Sequence, residues 1–465
     1  LRYISTRGEA PTLGFADALM AGLARDGGLY LPESWPQFSK AEIAALAGKS
    51  YQQIAFAVLQ PFIGHEIAAA KLKAMIAEAY GTFRHEAVCP LVQTGPNEFI
   101  AELFHGPTLA FKDVAMQLLA RLMDHVLIER DERATIVGAT SGDTGGAAID
   151  AFAGRQRTDM FILFPHGRVS PVQQRQMTTS TASNVHALAV EGNFDDCQAL
   201  VKAMFNDHKF RDRMKLSGVN SINWARIMAQ IVYYFTSAIS LGAPHRAVSF
   251  TVPTGNFGDI FAGYVALKMG LPIERLVIAT NDNDILARTL ETGSYEMRGV
   301  TQTTSPSMDI QISSNFERLL FEAHGRDTAA VRRMMAGLSQ SGSFSIENKP
   351  LAEIRGQFSA GRSSMEETGK VIRNMLDADG YLADPHTAVA IKVARQQPVS
   401  GAPMVVLSTA HPAKFPDAVK AACGVDPALP AFLADLMQRK ERFTVLPSQL
   451  ELVQRHIEDA ARAAK

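Results

Sequence analysis

His105-Gly106-Pro107-Thr108-Leu109-Ala110-Phe111-Lys112-Asp113 is the stretch on which the reading of the whole chain turns. It sets one lysine among small and apolar neighbours at a helix start, because Asp113 opens the run Val114, Leu118, Leu119, Leu122 at helical spacing. An ammonium in apolar surroundings near the positive end of a helix is pushed toward its neutral, nucleophilic form. That form is what an aldehyde cofactor needs to make a Schiff base, and pyridoxal phosphate (PLP) is the commonest such cofactor. The spacing alone also fits a helix-start lysine that snorkels its charge to solvent, so the surrounding loops must decide.

Outward from this stretch, short apolar runs alternate with amphipathic helices. Residues 99–103, 135–137, 161–164, 185–190, 248–252, 276–279 and 404–407 have strand character, and 114–127, 145–152, 196–205 and 260–269 have helix character. Such alternation predicts an α/β protein with parallel sheets covered by helices. In open parallel sheets, ligands gather where strands run out into helix starts, which singles out the loops after Val137, Val252 and Leu407.

The first of these loops is Gly138-Ala139-Thr140-Ser141-Gly142-Asp143-Thr144-Gly145-Gly146, with three hydroxyls among glycines ahead of a helix. Its backbone N–H groups are free to point at a carboxylate or phosphate, although a glycine-rich turn made for close packing has a similar look. The second, Pro253-Thr254-Gly255-Asn256-Phe257-Gly258-Asp259, is neither a Walker A loop nor a dinucleotide fingerprint, and reads as a second anion site. Between them, Asn220-Ser221-Ile222-Asn223-Trp224-Ala225-Arg226 opens the apolar run 227–243. Arg226 carries a permanent fork that suits a phosphate, or it caps a neighbouring carbonyl. Ser408-Thr409 ends the last strand, where a hydroxyl can meet a ring nitrogen or be satisfied within the protein.

The whole chain sets bounds on these readings. At 465 residues, 47% hydrophobic and 20% charged, it has enough apolar content for two or three globular domains. A formal net charge of -1 argues against a binder of nucleic acid or another polyanion. Cys89, Cys197 and Cys423 are widely spaced and lack C-x-x-C pairing, which fits a reduced compartment and neither a metal site nor a disulfide framework. The first residues, Leu1 to Gly8, have no apolar core of signal-peptide type, and 227–243 is interrupted by Gln230, Thr236, Ser237 and Ser240. The expectation is therefore a cytoplasmic protein without a membrane span. Residues before about 95 carry helical patterns at 41–59 and 67–80 but no evident chemistry, and 427–465 reads as helix with a basic, Ala-rich end.

Taken together, Tyr3 to Gly8, Asp26 to Tyr30, His105 to Asp113, Ala139 to Gly145, Asn220 to Arg226, Gly255 to Asp259, Ser305 to Asp309 and Ser408 to Phe415 resemble the threonine synthases. These are PLP enzymes of the tryptophan-synthase β-like fold, fold type II, and the long N-terminal segment is similar to their microbial and fungal branch. The resemblance implies two parallel-sheet α/β domains around a cofactor cleft plus an N-terminal cap domain. The expected division is a cap at 1–95, a large PLP-binding domain at 96–138 and 241–425, a small α/β domain at 139–240 and a helical tail at 426–465. It also implies that Lys112 is the Schiff-base lysine, that Gly255, Asn256, Phe257, Gly258 and Asp259 cradle the cofactor phosphate, and that Thr409 faces the pyridine nitrogen. Thr140, Ser141, Asp143 and Thr144 would hold the substrate carboxylate and part of its phosphate, with Asn220, Ser221 and Arg226 completing that pocket.

The implied reaction converts O-phospho-L-homoserine and water to L-threonine and phosphate, in a monomer or homodimer with no metal. Other fold type II lyases, such as threonine or serine dehydratases, and a non-catalytic binder of phosphorylated amino acids are the competing readings. Neither needs the full set: the dehydratase has no use for a second phosphate pocket, the binder none for Lys112. Asp143 departs from the pattern of many fold type II enzymes, where Asn meets the cofactor's 3'-oxygen. An ionised Asp cannot donate a hydrogen bond, so it is protonated, or meets another donor, or that oxygen is held differently.

Overall fold

The apolar runs sort into two sheets in the computed structural model, which describes residues 1–464. One sheet has the order Phe358–Arg362, Ile273–Thr280, Val248–Pro253, Met404–Ser408, Glu98–Glu102, Leu91–Gly95, parallel except for the final antiparallel pair. The other, all parallel, runs Thr444–Pro447, Val185–Glu191, Thr158–Pro165, Ala134–Ala139, Leu216–Ser217. Every residue of Val248–Pro253 and Thr158–Pro165 is buried, as expected of parallel strands covered on both faces.

Two helices join the sheets to each other and to the N-terminal segment. Lys112–Glu129 is buried without interruption from Lys112 to Asp124, and Trp224–Ser240 from Trp224 to Phe235. The N-terminal strand Tyr3–Ser5 pairs with Tyr30–Pro32, and Tyr3 lies with its ring 6.1 Å from both Phe15 and Trp224. The cap thereby grips the first turn of the Trp224–Ser240 helix. Among the described residues no helix is long and apolar enough to cross a membrane, and all three cysteines are buried free thiols.

Three features differ from the sequence expectation. The helical pattern at 41–59 is two helices, Lys40–Ala44 and Tyr51–Ile63, because Ser50 and Gln53 form a capping box that restarts the helix. Ala134–Ala139, assigned through residue 138 to the large domain, hydrogen-bonds to Thr158–Pro165 and so lies in the second sheet. The 426–465 segment is no simple helical tail, since Thr444–Pro447 adds an edge strand to that sheet and the Leu450–Ala460 helix buries Val453 and Ile457 with Leu200 and Met204. An edge position is where a strand ending in proline is tolerated.

The strands Ala134–Ala139, Val248–Pro253 and Met404–Ser408 deliver their C-terminal loops toward one place, the start of the Lys112–Glu129 helix. An isolated bridge between Ala110 and Ala410 fixes the lysine segment to the last of them.

Candidate active site

Lys112 is the first residue of its helix because the preceding loop is latched on both sides. Phe111 N–H donates to the Thr409 carbonyl at 2.8 Å and His411 N–H to the Leu109 carbonyl at 3.0 Å. Thr108 donates its N–H and hydroxyl to Asp113 at 2.8 and 2.6 Å. A Cβ on Gly106 would stand 2.5 Å from the Asp113 side chain, so glycine is required there. The lysine is 8% exposed, with Nζ 4.8 Å above the Phe111 ring and 3.6 Å from Asp143 Oδ2. Burial pulls its pKa below the ordinary lysine value, Arg226 and Lys414 push the same way, and Asp143 opposes them. The amine is poised toward its neutral form.

Asp143 resolves the question its sequence raised. Lys414 Nζ lies 3.1 Å from its Oδ1, and Gln173 Nε2 donates to the same oxygen at 2.9 Å. Burial alone would raise its pKa, but Lys414, Lys112 and Gln173 outweigh it and hold the carboxyl well below the usual range. It is therefore ionised and has found other donors. In the same loop, Thr140 Oγ1 accepts from Gly142 N–H at 3.0 Å and Gly145 N–H at 2.9 Å, which shapes the turn and leaves the hydroxyl proton free to donate. Gly142 has φ +143°, and a Cβ there would meet Gln173 at 2.4 Å. Ser141 is exposed and Thr144 half-buried at the mouth of this turn.

The Gly255 to Asp259 loop turns through Phe257 at φ +65°, a left-handed conformation unusual for a residue with a side chain. Its ring is buried against Phe316 and Phe358, at 5.3 and 5.9 Å, and that packing holds the turn. The backbone N–H groups of Asn256, Phe257 and Gly258 have no acceptor among the described residues and cluster at the N-terminus of the Gly258–Lys268 helix. N–H groups so placed suit an anion. A Cβ on Gly255 would stand 2.6 Å from the Ser307 carbonyl oxygen. Asp259 turns its side chain away to accept from Tyr233 and Tyr234 at 2.5 and 3.0 Å, so its backbone is what it has to offer the cradle. The Asn256 side chain is exposed.

Arg226 is 5% exposed, donates to the Val219 carbonyl at 3.2 Å, and has no carboxylate partner among the described residues. Burial lowers its pKa to about 10. Arg318 is a useful contrast, being equally buried but bonded to the carbonyls of Tyr30 and Ile222 and to the Asn315 side chain. Arg318 is spent on structure, whereas most of the Arg226 fork is unspent. A buried guanidinium without a counter-ion is costly, and an anionic ligand is the remedy. Asn220 is exposed and Ser221 half-buried beside it. The Thr409 hydroxyl, 5% exposed as a residue, has no hydrogen-bond partner among the described residues.

Sequence reasoning missed several residues that the fold brings here. Lys414 donates to the Thr108 carbonyl and to Gln176 Oε1, both at 2.7 Å, as well as facing Asp143. Its signal was available, since Pro412-Ala413-Lys414-Phe415 is again a lysine among small and apolar residues at a turn. His386 has no such signal: Nδ1 donates to Asp384 at 2.7 Å and Nε2 accepts from Ser307 N–H at 3.3 Å, supporting the segment that lies against Gly255.

A poised lysine, an N–H cradle closed to side chains at Gly255 and an unneutralised arginine fit an aldehyde bearing a phosphate, with a second anion beside it. Comparison with known proteins agrees. Residues 2–80 match the family described as threonine synthase N terminus, 91–410 that of pyridoxal-phosphate dependent enzymes and 387–457 that of threonine synthase, C-terminal. The chain is 54% identical to threonine synthase of Pseudomonas aeruginosa over all of both chains, and 43% identical to that of Saccharomyces cerevisiae, covering 98% and 97%. A crystal structure of PLP-bound threonine synthase from Brucella melitensis superposes with a TM-score of 0.98 at 73% identity, covering 99% of this chain and 100% of that one. A tomato threonine deaminase shares the fold alone, with a TM-score of 0.52 at 13% identity over 77% of this chain and 93% of that one.

Proposed function

Because the chain belongs to the threonine synthase family of PLP-dependent enzymes, we propose that it converts O-phospho-L-homoserine and water to L-threonine and phosphate, with Lys112 as its reactive amine. The observation that carries this reading is Arg226, a buried guanidinium with no carboxylate partner among the described residues, set apart from the 255–258 cradle. Two anion sites around one lysine suit a phosphorylated substrate and a phosphorylated cofactor at once. A dehydratase would have no use for the second.

Held at Lys112 and the 256–258 backbone, PLP would supply an electron sink for carbanion chemistry. The protein's own part is binding, orientation and proton movement. In the proposed assignment, the N–H groups of Asn256, Phe257 and Gly258 hold the cofactor phosphate, and Thr409 offers an uncharged hydroxyl to the ring nitrogen. The Thr140 to Thr144 turn takes the substrate carboxylate, while Arg226, Asn220 and Ser221 take its phosphate. Once the substrate amine takes its place on the cofactor, the freed Lys112 Nζ would accept protons from the substrate carbons, and Asp143 beside it would stabilise the resulting ammonium. Binding energy from the remote phosphate is thereby used to orient the reacting carbon and to stabilise the departing anion.

The test is product analysis with purified protein and PLP. O-phospho-L-homoserine should yield phosphate and L-threonine in equal amounts, and unphosphorylated homoserine should be a poor substrate. Release of ammonia and a 2-oxo acid from L-threonine or L-serine as the main activity would instead establish the dehydratase reading.

A further inference from the structure

We infer that Asn315 is a positioning residue that couples the two phosphate loops, one side-chain amide fixing the cofactor loop at 255–259 and the substrate loop at 220–226 to each other. The inference rests on the loop assignments proposed above.

Asn315 is 0% exposed, and its Nδ2 donates to the Ser221 carbonyl at 3.2 Å and to the Asn256 carbonyl at 2.9 Å. Its amide thus gives one proton to each loop. The backbone N–H of Asn315 reaches the Asn256 carbonyl too, at 3.0 Å, and Ser313 Oγ donates to the Gly255 carbonyl at 2.6 Å. In a trans peptide the C=O and the following N–H point in opposite directions. Holding the Gly255 carbonyl toward Ser313 and the Asn256 carbonyl toward Asn315 therefore turns the N–H groups of Asn256 and Phe257 the other way, out of the protein's own bonding. Pinning the Ser221 carbonyl does the same to the N–H of Ile222. None of these three N–H groups has an acceptor among the described residues.

The bridge is itself locked. Asn315 Oδ1 accepts from Arg318 Nη1, and Arg318 Nη2 donates to the carbonyls of Ile222 at 2.7 Å and Tyr30 at 2.6 Å. With its oxygen committed to a guanidinium, the amide cannot flip without setting NH₂ against a cation. The Asn315 side-chain amide therefore bonds both loops at once, and losing its two protons should weaken both sites together.

Asn315→Asp keeps the shape and the acceptor for Arg318 but removes the two-proton donor. Relative to the parent holoenzyme, the dissociation constant for PLP and the KM for O-phospho-L-homoserine should each rise about tenfold, with kcat changed by less than about threefold. Gly255→Ala, whose Cβ would meet the Ser307 carbonyl oxygen at 2.6 Å, should move chiefly PLP affinity, and Arg226→Ala chiefly substrate kinetics. If those two controls cross over, the loop assignments fail. If they behave and Asn315→Asp moves only one constant, or neither, or lowers kcat as much as it raises KM, the bridge is wrong. Should the variant not fold, hydrogen exchange on the parent holoenzyme decides. Inorganic phosphate should slow exchange at Asn256 and Phe257 as well as at Ile222, and protection confined to Ile222 would overturn the coupling.

Discussion

The ammonium of Lys414 lies 3.1 Å from the carboxylate of Asp143, and both side chains are shut away from solvent. The same carboxylate stands 3.6 Å from Lys112, so one buried acid serves two buried amines. They are not equivalent. Lys414 uses its donors on Asp143, the Thr108 carbonyl and Gln176, whereas Lys112 has only the longer contact and the Phe111 ring. The first is a fixed counter-ion and the second is free to react.

Asp143→Asn should therefore destabilise the fold by about 3 kcal/mol at neutral pH, because it leaves the Lys414 ammonium buried without its anion. The sign of the pH dependence follows from the depressed pKa. In the parent, the contribution of Asp143 is complete above its ordinary value of 3.8 and is lost as pH falls through the lower value it has in the fold. Denaturation of parent and variant should show a constant gap above about pH 5 that closes in more acid solution. A gap that does not change with pH would mean that Asp143 is not the ionised partner.

Lys112→Ala should abolish turnover and the covalent attachment of PLP while leaving the cofactor's phosphate site intact. Reduction of the parent with borohydride, followed by peptide mapping, should place the label on Lys112. Labelling of Lys414 instead would reverse the roles assigned to the two lysines.

Gly255→Ala should weaken PLP retention more than it weakens substrate binding. Its Cβ would meet the Ser307 carbonyl oxygen at 2.6 Å, a backbone atom that cannot swing aside, so the cradle has to move. Equilibrium dialysis of PLP measures the effect. Unchanged retention together with a raised KM would mean that the two anion sites are interchanged.

The parallel sheets, the buried lysine at a helix start and the glycine-containing loops that gather beside it were legible in the sequence because each rests on local chemistry: apolar runs of strand length, glycines before helix starts, a lysine among small residues. Residues that matter through distant partners were not. Asn315 and His386 read as ordinary polar positions until the fold brings Ser221, Asn256 and Ser307 to them. The direction of the Asp259 side chain was not legible either. Its position in the loop is right, but two buried tyrosines 25 and 26 residues earlier compete for its carboxylate and turn it away. The Thr444–Pro447 strand was hidden beside the helical pattern that follows it, since an exposed edge strand needs no continuous apolar run.

Steady-state kinetics of Arg226→Ala with O-phospho-L-homoserine tests the central claim, that a second anion site beside Lys112 holds the leaving phosphate. Losing a forked, desolvated donor to that group should reduce kcat/KM by roughly 10² or more, about 3 kcal/mol, as for removal of a strong oxyanion donor. Lysine at this position should restore only part, since it brings the charge without the fork. PLP retention should stay at the parental level. Turnover of phosphohomoserine at the parental rate, or loss of PLP in place of loss of substrate binding, would contradict the account.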